Sequence, residues 1–281
     1  MVLLVFWFRI WTSNDRRVAF NPYLSPLGRV SEAVVNFMRP VFFSTPPRLI
    51  AAMSLAFLIV FRSMIFHSIA ASSQVEWILN IGFEAHRIDV VNAVSCMIFS
   101  VLSFAIFLFN LWGLSLIYVW FKRGSSFDHT VDALYQLSRP FSDVRNELRP
   151  VILLAFGMIL IFFLSRLAGE MSPITVRRAT SLLTLIVASG MSSLAGWVHV
   201  LPIIMNVLMM LIIGSWVSMF TSSHGIMLFC REWIDMLLGP ARRYPIRIGM
   251  LDLTPIVFFL VISFVHQLLI RVLFNSYQGL V

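Results

Sequence analysis

Long apolar runs alternate with polar segments along the whole chain. A helix that crosses a bilayer needs about 20 predominantly apolar residues. Five runs approach or reach that length, at 49–70, 105–121, 151–168, 202–220 and 255–274. Two further apolar stretches, 92–104 and 181–198, directly precede the second and the fourth run. The pattern predicts an all-α transmembrane protein.

The apolar stretch at 1–11 is short for a span. As a helix it would reach about 17 Å, against a hydrocarbon core about 30 Å thick. We interpret it as the end of a span whose beginning is missing. It brings the predicted number of spans to about six, provided that 92–104 and 181–198 are interfacial or partly inserted helices, or extensions of long tilted ones.

Three markers recur along the chain at similar offsets. A tryptophan closes an apolar run, a proline precedes the next span, and an arginine follows that proline by 16 residues. The members are Trp11, Trp120 and Trp216; Pro46, Pro150 and Pro255; and Arg62, Arg166 and Arg271. This recurrence predicts three degenerate repeats, which we place at 1–71, with its first span apparently truncated, at 87–168 and at 181–274.

Basic linkers connect the two spans of each predicted unit. The third linker places Ile226, Phe229, Cys230, Trp233 and Leu237 on one helical face, and the first linker shows the same periodicity. Amphipathic basic helices between spans are typical of the membrane interface. Loops rich in arginine face the cytoplasm, so we expect all three linkers on that side.

The composition supports a membrane protein and excludes several other classes. Of the 281 residues, 59% are hydrophobic and 12% are charged, about half the charge of a soluble protein. The net charge of +8 comes from arginines in the linkers, which favours binding to the bilayer and its anionic headgroups over binding to nucleic acid. Cys96 and Cys230 are too few for a disulfide framework or a thiolate metal site.

The last span begins at a short polar motif. Thr254 can cap the helix, Pro255 suits its first position, and Asp252 places negative charge near the positive end of the helix dipole. We therefore predict that this motif fixes where the span begins and directs the basic turn before it towards the membrane surface.

Several short motifs resemble the YggT family of small integral membrane proteins of bacteria and plastids. They are "GSWVSMF" at 214–220, "LLGPARR" at 237–243 and "GMLDLTPIV" at 249–257, with "NPYLSPLGRVSEAVVNFMRP" at 21–40. Family motif positions fall on Trp216, Pro240, Arg242, Arg243, Gly249, Asp252, Thr254 and Pro255, and in the first unit on Asn21, Pro22, Ser31, Glu32 and Arg39. The predicted middle unit lacks nearly all of them.

The resemblance implies a multi-pass protein of the bacterial inner membrane without catalytic activity. It implies a scaffold or assembly factor that supports osmotic or envelope stress tolerance, or assembly of a membrane complex, through a membrane or cytoplasmic protein partner. The alternative is a channel or transporter component for ion or osmolyte balance. A scaffold would depend on Trp233, Arg242 and Arg243, and a transporter on buried polar residues such as Asn110, Asn206 and Arg271.

Two sets of residues are candidates for binding. Arg39, Trp233, Arg242, Arg243 and Arg247 form a candidate partner-facing or lipid-facing motif. The late arginines, Arg62, Arg166 and Arg271, would lie near the outer edge of the hydrocarbon, where arginine side chains reach the headgroups. If the three units packed around a shared axis, these arginines could instead bind an anion or a lipid phosphate.

Intramembrane polar residues give no signature of catalysis or of a cofactor. His67, His199 and His266 could ligate haem if two of them lay on facing helices, but a histidine in a span more often packs against a polar neighbour. Asn110, Asn206 and Gln267 are expected to form interhelical hydrogen bonds. Because the chain has no hydrolase, nucleotide-binding or metalloprotease motif, we predict no enzyme, cofactor or metal site.

Overall fold

The computed structural model describes most of the chain as helix. The described residues are 2–12, 18, 20–40, 45–72, 77–88, 92–121, 129–167, 182–220, 224–238, 241, 245–248 and 251–279. The helices are α1 (Val2–Thr12), α2 (Ser25–Met38), α3 (Pro47–Ser72), α4 (Ala93–Phe121), α5 (His129–Leu137), α6 (Arg149–Leu167), α7 (Leu182–Val198), α8 (Val200–Phe220), α9 (His224–Leu238) and α10 (Thr254–Gln278). The strands are β1 (Trp77–Ile81), β2 (Glu84–Ile88), β3 (Arg247–Ile248) and β4 (Leu251–Asp252).

Four helices in the described part of the chain are long and apolar enough to cross a membrane. They cover Pro47–Ala70, Ala93–Ile117, Leu183–Ser218 and Thr254–Gln278. Two shorter apolar helices, Leu3–Thr12 and Arg149–Leu164, fall below that length. The all-α prediction is therefore confirmed, apart from two small hairpins, whereas a count of six spans and the three repeats remain predictions.

The two extra apolar stretches are extensions of longer helices. Residues 92–104 join the run 105–121 in the 29-residue α4. Helix α7, from Leu182, leads into α8 through a turn at His199, and the apolar segment Leu183–Ser218 is 36 residues long. Pro202 explains the turn, because proline cannot donate a hydrogen bond to the carbonyl four residues earlier and its ring crowds that carbonyl.

Helix α4 lies at the centre of the bundle and packs against α3, α6, α7 and α8. Small residues allow close helix contacts, and serines add hydrogen bonds between helices. Ser100 of α4 donates to the carbonyl of Ile59 on α3 (3.1 Å), and Ser193 of α7 donates to that of Leu154 on α6 (3.1 Å). The largest apolar core forms around α4 between α1, α3, α6 and the β1–β2 hairpin.

The β1–β2 hairpin extends between the helices towards the middle of the bundle. Trp77 at its base packs against Phe66 and Phe99, with ring centroids 4.8 and 5.3 Å apart. Gly82 at its tip lines a cavity together with Phe109 and Gly196. Ten residues of α4, about 15 Å, separate Phe99 from Phe109, so the hairpin spans half the thickness of a hydrocarbon core.

The motif before α10 forms a second, smaller hairpin, β3–β4. Helix α10 begins at Thr254 with proline in its first turn, as predicted. The capping prediction was wrong: Leu253 occupies the cap position without a side-chain bond. The Thr254 hydroxyl instead accepts the N–H of Ile246 (2.9 Å), because the chain folds back there and leaves that donor within reach. Thr254 thus ties the incoming loop to the helix start.

Candidate functional site: the linker face and the polar cleft

The first and second linkers are joined by one buried asparagine. The Asn21 amide donates to the carbonyl of His129 (2.7 Å) and to the carboxylate of Asp132 (3.2 Å), while its carbonyl oxygen accepts the N–H of Tyr23 (3.0 Å). Phe8, Leu24 and Ala133 are packed together beneath it. An asparagine can satisfy three partners at once in this way because it carries both donors and an acceptor.

The first and third linkers meet through an aromatic cluster. The Tyr23 hydroxyl donates to the carboxylate of Glu232 on α9. The ring of Tyr23 packs against Phe229 (5.7 Å between centroids) and Trp233 (5.6 Å). Residues separated by more than 200 positions therefore meet on one face of the bundle. We call the surface formed by residues 21–39, 129–149 and 224–238 the linker face.

Charged side chains cover the outside of the linker face. Arg29 and Arg39 of the first linker are exposed, as is Arg231 of the third. On α2, Val30 and Phe37 are also exposed, at 55% and 78% of their side-chain surface, while Val35 is buried against the protein. Exposed apolar groups next to arginines are what a helix at a membrane interface requires.

The loop that follows α5 is held by a buried arginine. Arg149 donates from Nε to the carbonyl of Val144 (2.9 Å) and from its guanidinium to the carbonyl of Ser142. In the same loop the Tyr135 hydroxyl donates to Asp143 (3.2 Å). Partial burial, followed by the adjacent carboxylate, raises the pKa of Tyr135 above its ordinary value.

A second candidate site is a polar cleft beneath the tip of the β1–β2 hairpin. The cleft has a volume of about 470 Å³. Asn80, Asn110 and His199 supply its polar side chains, and the remaining lining is Ile81, Gly82, Phe83, Ile106, Phe109, Gly196 and Ile203. Strand backbone at membrane depth is tolerated where it is buried in protein or lines a water-filled cavity. The cleft satisfies that condition for this hairpin.

Close backbone contact holds the hairpin tip against α7. Ser192 accepts the N–H of Phe83 at Oγ (3.2 Å) and lies 3.4 Å from the carbonyl of Ile81, to which it donates. Gly82 has a φ of 61°, and a Cβ built there would lie 1.9 Å from the Ser192 carbonyl oxygen. Only glycine fits this position without displacing the backbone.

Two of the three residues that the transporter alternative named as buried polar residues are not buried. Asn206 and Arg271 are exposed on the outside of the bundle, so the prediction that they are buried was wrong. Asn110 is half-buried and lines the cleft. Among the described residues, no group of three or more His, Cys, Asp or Glu side chains is arranged to hold a metal ion.

The partner-facing motif is described only in part. Arg39 is exposed, but Trp233 is half-buried in the contact with Tyr23 and Phe229. Arg247 pairs with Asp252 across the β3–β4 hairpin, and only their backbone is described. Arg242, Arg243, Pro240 and Gly249 lie outside the described residues. Trp216 is 54% exposed near the end of α8.

The late arginines occupy different surroundings. Arg62 lies over the ring of Phe66, 4.8 Å from its centroid, and lines a cleft of about 490 Å³ between α1, α3 and α4. Arg271 is exposed on α10, and the Arg166 side chain lies outside the described set. Their convergence on an anion or a lipid stays a prediction.

The residues that matter most for the linker face were missed as site residues. Asn21 was recognised as a motif position but not as a contact between linkers, and Tyr23 was not singled out. The Asn-Pro pair is a typical turn signal, and the buried Asn21 accordingly caps the turn that precedes α2. No pattern along the chain indicates that it also reaches Asp132.

Comparison with known proteins identifies one part of the chain. Residues 191–273 match the model of the CCB3/YggT family. This range covers the end of α7 and all of α8, α9, β3 and β4, with most of α10. Comparisons with well-described proteins and with solved structures gave no match. The resemblance predicted from the motifs at 214–220, 237–243 and 249–257 is confirmed.

Proposed function

We propose that this membrane protein, which carries a CCB3/YggT domain over residues 191–273, is a non-catalytic scaffold. In this proposal it crosses the bacterial inner membrane several times and supports osmotic or envelope stress tolerance, or assembly of a membrane complex. Its linker face is the surface that a cytoplasmic or membrane protein partner recognises. The matched family is not a known family of enzymes.

One observation carries the proposal. The linkers come from three separate parts of the chain, yet Asn21 and Tyr23 bind the second and third linkers directly. Loops that merely connect spans need no such contacts, because each helix pair can be closed by its own linker. Buried polar contacts between the linkers produce one defined surface, and a defined surface is what recognition of a partner requires.

The exposed arginines give this surface its chemistry. Arg29, Arg39 and Arg231 are exposed on the two linkers that also carry Tyr23 and Trp233. Arginines near an aromatic centre are typical of protein interfaces, and they also suit anionic headgroups. In this arrangement Trp233 supports the surface from within, and Arg39 is the partner-facing residue.

The polar cleft favours a second candidate function, a channel or transporter component for ion or osmolyte balance. Asn110 and His199 lie at membrane depth around an open cavity, and polar residues at that depth commonly mark solute pathways.

A complementation experiment with matched variants separates the two functions. A strain lacking the gene would be complemented with Arg29→Gln/Arg39→Gln, with Asn110→Leu or with the unchanged gene, and its growth after osmotic upshift measured. A scaffold loses complementation with the arginine pair and keeps it with Asn110→Leu, whereas a transporter shows the opposite. Equal amounts of protein in the membrane, measured by immunoblot, are the control.

Flux measurements provide the independent test. Liposomes containing only the purified protein would be assayed for ion and small-osmolyte flux against empty liposomes. A scaffold gives no flux above the empty liposomes. Flux that Asn110→Leu reduces would refute the scaffold proposal and establish the cleft as a pathway.

A further inference from the structure

Two histidines lie side by side at the middle of the membrane segments. His199 occupies the turn between α7 and α8, and His266 is 12 residues from either end of α10. Their ring centroids are 5.6 Å apart, with an angle of 58° between the ring planes. At 1.5 Å per residue, His266 is about 18 Å from each end of its helix, so the pair lies at the depth where polar groups are most costly.

One of these rings carries an unsatisfied nitrogen. His266 Nε2 is buried and has no hydrogen-bond partner among the described residues. Buried polar atoms are almost always paired, so an exception calls for an explanation, which can be an ion that the protein binds. The ring of His199, 5.6 Å away between centroids, could share such an ion with it.

The separation of the rings fits coordination of a single metal ion. An imidazole nitrogen binds Zn²⁺ at about 2.0–2.1 Å, which puts the ring centroid about 3.2 Å from the metal. Two imidazoles on one ion then have centroids about 5.2 to 6.4 Å apart, for angles at the metal between tetrahedral and linear. The observed 5.6 Å falls in this range.

The cleft supplies access and further ligands. His199 is exposed and lines the cavity beneath the hairpin tip, together with Asn80 and Asn110. Water and amide oxygens there can complete the coordination of an ion that the two imidazoles hold. Imidazole suits Zn²⁺, Cu²⁺, Ni²⁺ and Co²⁺, whereas Mg²⁺ and Ca²⁺ require oxygen ligands such as carboxylates.

We propose that His199 and His266 form a binding site for a divalent transition-metal cation, reached through the polar cleft beneath the β1–β2 hairpin. The site holds the ion with two neutral imidazoles and leaves other positions to water or amide oxygens, so the ion exchanges readily. The proposal does not depend on the scaffold function, since the linker face and this site share no residue.

Cobalt titration of the purified protein tests the site. Tag-free protein in detergent, stripped of metal with a chelator, would be titrated with Co²⁺ while its visible absorption is recorded. We expect one Co²⁺ per chain, displaced by Zn²⁺ but not by Mg²⁺. His199→Gln and His266→Gln should each weaken binding at least about tenfold, since even changes to groups outside the ligand shell cost that much. His67→Gln, another intramembrane histidine, which contacts Cys96, is the matched control and should bind as the unchanged protein does.

A second measurement keeps the result independent of how the variants fold. Zn²⁺ should raise the thermal stability of the unchanged protein in a concentration-dependent way, because a ligand that binds the native state stabilises it. The absence of both a Co²⁺ spectrum and a Zn²⁺ shift in the unchanged protein would overturn the proposal. Full binding by the His199→Gln/His266→Gln double variant, or loss of binding in His67→Gln, would overturn it as well.

Discussion

Replacing Gly82 by alanine tests whether the β1–β2 hairpin is seated between the helices as described. The new Cβ would lie 1.9 Å from the Ser192 carbonyl oxygen, so the hairpin tip must move by more than 1 Å to relieve the contact. Alanine at a φ of 61° costs roughly 1–2 kcal/mol by itself. Displacement also breaks the two Ser192 hydrogen bonds, each contributing about 0.5–1.5 kcal/mol. We expect Gly82→Ala to lower the free energy of unfolding by about 2–5 kcal/mol.

The assay is unfolding in mixed micelles by titration with a denaturing detergent. Cys96 and Cys230 are free and buried, so their reaction with a thiol dye reports loss of structure. Gly225→Ala is the matched control, because a Cβ there meets nothing within 4 Å and alanine favours the helix. Ser192→Ala should cost less than Gly82→Ala, since it removes the hydrogen bonds but not the steric conflict. If Gly82→Ala were as stable as Gly225→Ala, the seating of the hairpin would be wrong.

Two further predictions concern the loop before α10 and the second linker. Thr254→Val keeps the side-chain shape but leaves the N–H of Ile246 without its acceptor; we expect a loss of about 1 kcal/mol in the same titration, and Thr254→Ser should restore most of it. Because the pKa of Tyr135 is raised in the folded state, the folded protein holds this proton more tightly than the unfolded chain. Stability should therefore be fully present below the ordinary tyrosine pKa of about 10 and fall as the pH rises through the folded value. Tyr135→Phe should remove that part of the decline, and an unchanged pH profile would contradict the raised pKa of Tyr135, which burial and then Asp143 cause.

The helices were predictable because they follow from the local pattern of the sequence. Apolar runs such as 255–274 became helices within a few residues of their predicted ends. Pro255 was placed correctly in the first turn, since its fixed φ suits a helix start whatever surrounds it. The merging of 92–104 with 105–121 was left open, because no charged residue or proline marks whether a boundary lies between them.

The contacts between segments were not predictable, because they depend on how the helices pack. The Thr254 hydroxyl is able either to cap α10 or to accept the N–H of Ile246. Which contact forms depends on the path of the preceding loop, which brings Ile246 next to Thr254. The same holds for the β1–β2 hairpin, which the pattern of apolar runs does not predict. Gly82 is a turn signal in the sequence, but its fit against Ser192 follows from the tertiary structure.

The cleft joins residues whose roles the sequence left undecided. From the sequence, Asn110 and His199 are each interpreted as polar residues that pack within spans. The pattern of apolar and polar positions does not indicate that the hairpin tip lies close to both. His266 was weighed as a possible haem ligand, but its neighbour could be identified only from the crossing of α10 with the turn at His199.

The contacts of Tyr23 have a consequence for the order in which the protein is made. Its partners Phe229, Glu232 and Trp233 follow it by more than 200 residues. At roughly 5–20 residues per second, a ribosome needs about 10 to 40 seconds to reach them. During that interval α1 and α2 have been made while the partners of Tyr23 on α9 have not, so the linker face is completed only when synthesis is nearly over. Newly made chains therefore complete this face only after the helices α1 to α8 have been synthesised.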